Sequence, residues 1–238
     1  LYFQRHDGQA VRIEEFLSAM EDASKIDLSQ MRPWYDEAGT PTVNVQKHYD
    51  REKKRLSISF TQQSNNPDKT NQPRMVPIKI GVLDEKGEDA LITADNTDES
   101  GSLLIKFTEE SKTIEFDNMH SVPTPSILRN FSAPITLNIS YSDKELAHLA
   151  KFDKDSFNRW EAFQRLAVRH IIEAATNFQK GSNYAFPNDI LEVFEKALDL
   201  QTEDPAMTSE MITLPPLSYL CQFMDPIEPD ALSISRIK

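Results

Sequence analysis

The sequence is poor in several features that usually reveal a function. It has one cysteine, Cys221. A single thiol forms no internal disulfide, which excludes a disulfide-stapled secreted domain and favours a reduced, cytoplasmic setting. Six glycines leave little scope for phosphate-cradling loops, and no Gly-x-x-x-x-Gly-Lys-Ser/Thr string occurs. No apolar run approaches the roughly 18 residues of a membrane span. Residues 1–10 carry charge and no apolar centre, so they do not form a signal peptide. Positive charge is also scarce, with 26 Lys and Arg against 38 Asp and Glu and a net charge of -12. A field of that sign repels phosphate, which argues against nucleic acid and anionic membranes as partners.

Catalytic motifs are missing as well. The five histidines are His6, His48, His120, His148 and His170. A His-Glu-x-x-His zinc helix needs a second imidazole one turn on, so that both nitrogens share a face. The residues at that offset are Ala10, Glu52, Thr124, Phe152 and Ala174. One cysteine gives no thiolate zinc site, and there is no Gly-x-Ser-x-Gly elbow. Cys221 reads as a buried, inert thiol. His170 reads as a helix-face residue with its polar edge satisfied. The basic run Arg51-Glu52-Lys53-Lys54-Arg55 reads as a solvated hairpin tip between strands. Asp95-Asn96-Thr97-Asp98-Glu99 lacks the spacing and glycine of an EF-hand, and reads as a polar loop.

What is present is a periodicity that changes twice. From Val11 to Ala23, the residues Ile13, Phe16, Leu17 and Met20 fall at helical spacing. A second helix is expected over Leu28–Trp34, with Pro33 near its end. Alternation with period two follows: Val43 and Val45; Leu56, Ile58 and Phe60; Ile78, Ile80 and Val82; Leu103, Ile105 and Phe107; Ile114 and Phe116; Ile135, Leu137, Ile139 and Tyr141. Turn-rich stretches such as Asn65-Asn66-Pro67-Asp68 and Glu85-Lys86-Gly87 separate these runs. Two sheets hide the apolar faces of such strands where one sheet cannot, so an antiparallel, immunoglobulin-like β-sandwich is expected. Helical spacing then returns. Ser142 and Glu145 form a capping pair. Phe157, Trp160, Phe163, Ala167, Ile171, Ala174 and Phe178 form one stripe, with Gly181 as the cap. Further helices are expected over Asn188–Leu200 and after Asp204 and Leu214. The fold class is therefore mixed α and β, a sandwich flanked by a short N-terminal helical segment and C-terminal α-helices.

Particular strings sharpen this reading. Arg5-His6-Asp7-Gly8-Gln9-Ala10-Val11 precedes a helix with Ala19-Met20-Glu21-Asp22-Ala23, then Trp34-Tyr35 and Ala38-Gly39-Thr40-Pro41. Gln72-Pro73, Phe116-Asp117-Asn118, Phe131-Ser132-Ala133-Pro134 and Tyr141-Ser142-Asp143 follow in order. Phe157-Asn158-Arg159-Trp160-Glu161-Ala162, Ile212-Thr213-Leu214-Pro215 and Asp225-Pro226-Ile227 complete the set. In this order the strings resemble the bacterial aminopeptidase N family, which are zinc-dependent alanyl aminopeptidases.

The resemblance implies an internal fragment of a metalloprotease that removes N-terminal residues from peptides. Residues 1–32 would be the last helices of the zinc catalytic domain, 33–142 the β-sandwich, and 143–238 the first helices of the C-terminal helical domain. It favours Leu1-Tyr2-Phe3-Gln4 as native sequence, although these residues also match the end of a common tag-cleavage site. The family's Gly-x-Met-Glu-Asn strand has a look-alike in Ser18-Ala19-Met20-Glu21-Asp22, which lacks the glycine and sits on a helix. No catalytic, metal or substrate-binding residue therefore carries over, and zinc belongs to the parent enzyme and not to this fragment. Its expected role is to join and align the catalytic and helical domains, which are its partners within the parent chain. Its cut surfaces are expected to expose apolar faces and to self-associate. The rival reading is an independent sandwich module that binds peptide or carbohydrate.

Overall fold

The computed structural model describes residues 1–63, 73–90, 92, 97–98, 101–199 and 204–237. The polar stretch Asn65–Asp68 and residues Asp95, Asn96 and Glu99 lie outside the described residues. Spatially the chain forms two compact units. One comprises Leu1–Ile78, Leu104–Asp117 and Ser132–Ser140; the other comprises Lys79–Leu103, Asn118–Phe131 and Tyr141–Lys238.

The first unit begins with helices α1 (Tyr2–His6) and α2 (Ile13–Ser24). Tyr2 packs edge-on against Phe16 with ring centroids 5.4 Å apart. The Leu28–Trp34 helix is instead split into a 3-10 turn (Ser29–Met31) and α3 (Pro33–Asp36). Pro33 lacks an N–H to donate and suits a helix start, so it opens α3 rather than ending a longer helix. Met75 N–H donates to Gln30 O at 3.1 Å, and Trp34 Nε1 donates to Met75 O at 2.9 Å. The Arg74 guanidinium lies 5.5 Å above the Trp34 ring and pairs with Glu37 at 2.9 Å.

Seven strands follow the period-two runs: β1 (Thr42–Asp50), β2 (Arg55–Gln63), β3 (Val76–Leu83), β4 (Leu103–Phe107), β5 (Ser111–Phe116), β6 (Thr124–Ile127) and β7 (Thr136–Ile139). They make a four-stranded sheet, β5-β2-β1-β7, and a three-stranded sheet, β4-β3-β6. Within the first unit, Phe60 of β2 and Phe107 of β4 meet across the sandwich with centroids 6.0 Å apart, and both are fully buried. Val43, Leu56 and Ile58 share this core. The pairs β1–β2, β2–β5 and β3–β6 are antiparallel, whereas β7 lies parallel to β1 from Thr42↔Thr136 to Val45↔Ile139. The alternation seen in sequence fixes which side chains point inward, but not strand direction. Residues 51–54 form the tight turn expected of a hairpin tip. Asp50 Oδ1 accepts the N–H groups of Glu52 and Lys53 there, each at 3.0 Å. Arg55 is held by Asp117 and Glu115 across the sheet.

The second unit is mainly helical: α4 (Asp143–Phe152), α5 (Ser156–Gln179), α6 (Asn188–Leu198), α7 (Pro205–Ile212), α8 (Leu217–Leu220) and α9 (Pro229–Ile237). The Ser142 capping box is present, with Ser142 Oγ accepting Glu145 N–H and Glu145 Oε2 accepting Ser142 N–H at 2.8 Å. Gly181 ends α5 at φ +69°, as a left-handed cap requires. The α5 stripe is shorter than its sequence pattern. Phe163, Ala167, Ile171 and Ala174 are buried, whereas Phe157 and Phe178 are exposed. These two lie in the first and last turns, where Phe157 packs on Phe131 and Trp160 instead. Helix α9 was not expected from the apolar spacing of its short sequence. The β6 strand was also missed, because all four of its residues are buried and Thr-Pro-Ser-Ile shows no alternation.

Replacing Ser142 with alanine is expected to cost about 1 kcal/mol, the typical worth of a helix N-cap. Urea denaturation at neutral pH checks this. An unchanged midpoint would show that the cap carries no net stability.

Candidate functional site

The most constrained polar site lies in the second unit, around Arg129. Its guanidinium is buried, with the side chain 3% exposed. Arg129 Nη2 donates to Asp89 Oδ1 at 2.7 Å, and Nη1 donates to Asp89 Oδ2 at 3.1 Å. Nη2 also lies 2.9 Å from Asp153 Oδ1, and the Asp153 side chain is fully buried. The remaining donors reach Ser126 Oγ at 3.2 Å and Ser102 Oγ at 3.1 Å. All five N–H groups of an arginine fork need acceptors once water is gone, and this arrangement supplies them.

The local sequence explains how the site forms. Arg129 follows β6 directly. Its guanidinium lies against Gly81 of β3, where a Cβ would come within 2.0 Å of Arg129 Cζ. Glycine is therefore required in the middle of an otherwise apolar strand. Asp89 sits at the bridge back to Leu83. Asp153 and Asp155 occupy the short link between α4 and α5, and Asp155 caps α5 by accepting Asn158 N–H at 2.8 Å. Asp155 Oδ2 also accepts Asn130 N–H at 2.8 Å. Asn158 Nδ2 donates to Ser126 Oγ at 2.7 Å and Ile127 O at 3.0 Å. These bonds hold Leu128, Asn130 and Phe131 in the left-handed region at φ 63°, 58° and 48°, a conformation that non-glycine residues adopt only when their surroundings impose it.

One buried cation here faces two buried carboxylates, and the more exposed Lys154 adds a contact to Asp89 at 3.4 Å. Burial opposes the charge on Arg129, but the hydrogen bond to Asp89 and the charges of Asp153 and Asp89 outweigh it, so its pKa is raised. Burial raises the pKa of Asp153, and Arg129 offsets this only in part. The geometry agrees, because Asp153 Oδ2 has no hydrogen-bond partner among the described residues. The Asp155 N–H, donating to Oδ1 at 3.0 Å, and a hydrogen bond from Ser126 also favour the charged form, yet burial is the larger effect.

The cluster fastens β6, the Asp89 turn and the α4–α5 link to one another. Among the described residues no group of three or more His, Cys, Asp or Glu side chains is placed to hold a metal ion. His148 Nε2 lies 2.8 Å from Asp84 O. His170 Nδ1 lies 2.5 Å from Tyr184 Oη, but its Nε2 has no hydrogen-bond partner, so its polar edge is only half satisfied. Cys221 is free and half-buried rather than buried, because it lies on the short 3-10 turn Cys221–Phe223. In the look-alike motif, Glu21 accepts Leu28 N–H at 2.9 Å and Asp22 pairs with Arg5 at 2.5 Å. Sequence reasoning missed Arg129, Asp89 and Asp153. The available signals were Gly81 inside an apolar strand and the Asp153-x-Asp155 pair before a helix.

The sequence relationships agree with this architecture. Residues 39–140 match a family described as a domain of unknown function with an Ig-like fold (DUF3458). Residues 143–238 match one described as ARM repeats (DUF3458_C). The class is thus an immunoglobulin-like domain followed by helical repeats. Along its whole length the chain is similar to one stretch of proteins named aminopeptidase N. It is 33% identical over 238 residues to "Aminopeptidase N" of Escherichia coli K12, covering 99% of this chain and 27% of that protein. It is 30% identical to the Haemophilus influenzae protein of the same name, covering 99% of this chain and 27% of that one. A crystal structure of Legionella pneumophila aminopeptidase A in complex with aspartic acid matches with TM-score 0.80 and 28% identity, over 99% of this chain and 25% of that one. The chain spans about a quarter of the length of the relatives it matches.

Replacing Arg129 with methionine leaves Asp153 buried without its cation and Asp89 with only the longer contact to Lys154 at 3.4 Å. A loss of about 3–5 kcal/mol is expected, as for other broken buried ion pairs, and denaturant unfolding measures it. Asp153→Asn tests the pH linkage. A carboxyl with a raised folded pKa binds its proton more tightly in the native state, so its contribution to stability falls as pH rises through the raised value. Unfolding at several pH values should therefore show the asparagine variant gaining on the wild type as pH climbs from acid towards neutral. A pH-independent difference would refute the assignment.

Proposed function

We propose that this chain is a non-catalytic structural segment of a cytoplasmic, zinc-dependent aminopeptidase that removes N-terminal residues from peptides, and that it joins and aligns the catalytic and C-terminal helical domains. Its homology to aminopeptidase N supports the parent activity. The observation that carries the structural role is the Arg129 cluster. It ties β6, the Asp89 turn and the α4–α5 link together, with the guanidinium N–H groups directed at acceptors within the cluster. No step of peptide hydrolysis is assigned to this chain in this reading. The partners proposed are the catalytic and helical domains of the same chain, with peptides as substrates of the whole enzyme. Self-association of the isolated chain is part of the same proposal. Exposed Phe3, Phe16 and Ile26 in the first unit, and Leu191 and Ile237 in the second, are the residues that would drive it.

Among the described residues no helix is long and apolar enough to cross a membrane. The rival module that binds peptide or carbohydrate would need aromatics displayed on a sheet face. Phe60, Phe107 and Phe116 are buried instead, which favours the structural role.

The two readings differ in what they demand of the full-length enzyme. Arg129→Met should lower kcat for an alanyl anilide while leaving the zinc content at one equivalent, because misplaced domains slow the reaction without touching the metal. The isolated 238-residue chain should bind no stoichiometric zinc and turn over no anilide. Turnover by that chain would overturn the proposal.

A further inference from the structure

The string Arg5-His6-Asp7-Gly8 in the first unit has no part in the reading above. It holds the sequence's only aspartate or asparagine followed by glycine. Asp7 ends α1 at φ -59° and ψ 129°, and Gly8 follows at φ +72°. Gln9 N–H donates to His6 O at 3.1 Å. Asp7 and Gly8 are therefore the central residues of a type II turn, whose third position calls for glycine. Asp7, Gly8, Gln9 and Ala10 are all exposed. Among the described residues the Asp7 carboxylate has no hydrogen bond or ion pair, and the Gly8 N–H has no acceptor. A Cβ at Gly8 would meet nothing within 4 Å, so the attacking face of its nitrogen is open.

These features favour one reaction, attack of a backbone nitrogen on the preceding side-chain carboxyl. The Gly8 nitrogen forms a bond to Asp7 Cγ. Its amide proton and the carboxyl hydroxyl leave together as water, which closes a succinimide ring. Water then adds back at either carbonyl carbon of the ring. Addition at Cγ restores aspartate. Addition at the main-chain carbon frees the α-carboxyl and leaves the chain running through Cβ and Cγ, which is isoaspartate. Other junctions with small or left-handed successors are held against this. Asp117, before Asn118, pairs with Arg55 at 2.6 Å. Asp155, before Ser156, is buried, and its oxygens accept the N–H groups of Asn158 and Asn130. Those bonds must break before either carboxyl can turn onto the next nitrogen, and the following Cβ crowds that nitrogen as well.

We infer that Asp7-Gly8 is a site of spontaneous modification, where the aspartate passes through a succinimide to isoaspartate with water as the sole co-reactant. One structural bond opposes it. To bring Cγ onto the Gly8 nitrogen, the peptide plane between the two residues must rotate, which opens the bond from Gln9 to His6. Opening one such bond slows the reaction by about tenfold at most. The product adds a methylene to the main chain between α1 and α2. Helix α1 rests on α2 through Tyr2 against Phe16 and through Arg5 on Asp22. Both contacts belong to the helix whose tether changes length, so conversion loosens α1 from α2.

The test is incubation of the 238-residue chain in heavy-oxygen water at physiological temperature and mildly acidic pH, beside a free peptide with the sequence of residues 5–11. Electron-transfer fragmentation of the digested chain separates aspartate from isoaspartate at Asp7. Each passage through the succinimide leaves one heavy oxygen there. The peptide, which has no turn to open, sets the clock. The chain should gain isoaspartate and label at Asp7 within about tenfold of the peptide's rate, and ahead of Asp117 and Asp155. Asp7→Glu keeps the exposed carboxylate but would have to close a larger, slower-forming ring, and it should lose both signals. A chain that stays unconverted at Asp7 long after the peptide has converted overturns the inference, because the turn then protects the site. So does label that persists at this position in Asp7→Glu, and so does conversion of Asp117 or Asp155 before Asp7.

Discussion

A single guanidinium sets the conditions for much of the second unit. Removing Arg129 from water is costly, and its position is stable only because Asp89, Asp153, Ser102 and Ser126 supply acceptors in a fixed fork geometry. The rest of the neighbourhood follows from that demand. Gly81 must lack a side chain. The backbone at Leu128, Asn130 and Phe131 must turn left-handed to bring the arginine under β3. Asp155 and Asn158 must spend their polar groups holding that turn. The start of the longest helix is thus fixed by the requirements of a strand-end arginine.

This explains why the compact units do not follow the order of elements along the chain. Residues 79–103 and 118–131 carry strands of the sandwich, yet they pack with the helices. The ion cluster and the Tyr141 hydroxyl, which donates to Pro125 O at 2.8 Å, are the polar contacts responsible. Burial drives the Tyr141 phenol well above its ordinary value, which keeps it a donor at any physiological pH. Apolar contact alone is non-directional and would tolerate sliding. Hydrogen bonds of fixed length and angle do not.

The fold was largely legible in the sequence, and the polar cluster was not. Leu56, Ile58 and Phe60 announce a strand because alternate burial leaves a period of two. Ser142 and Glu145 announce a helix start because the capping box is local in sequence. Nothing comparable marks Thr124–Ile127, which is buried on all sides. The parallel pairing of β7 with β1 was invisible for another reason: alternation is the same for either strand direction. Arg129, Asp89 and Asp153 are ordinary charged residues in a chain full of them. Their partnership depends on closures 40 residues apart in sequence, as for Arg129 and Asp89, which no periodicity records.

Around Arg129 the cation keeps its proton throughout the accessible range, so any titration falls on the carboxyl of Asp153. The entry to α5 is fixed in turn by bonds of set length and direction: Asp155 accepts the N–H groups of Asn158 and Asn130, and Asn158 Nδ2 closes back onto Ser126 Oγ and Ile127 O. The first turn of the longest helix therefore cannot shift along the end of β6 without breaking several of these bonds together, which is what distinguishes this anchor from apolar packing alone.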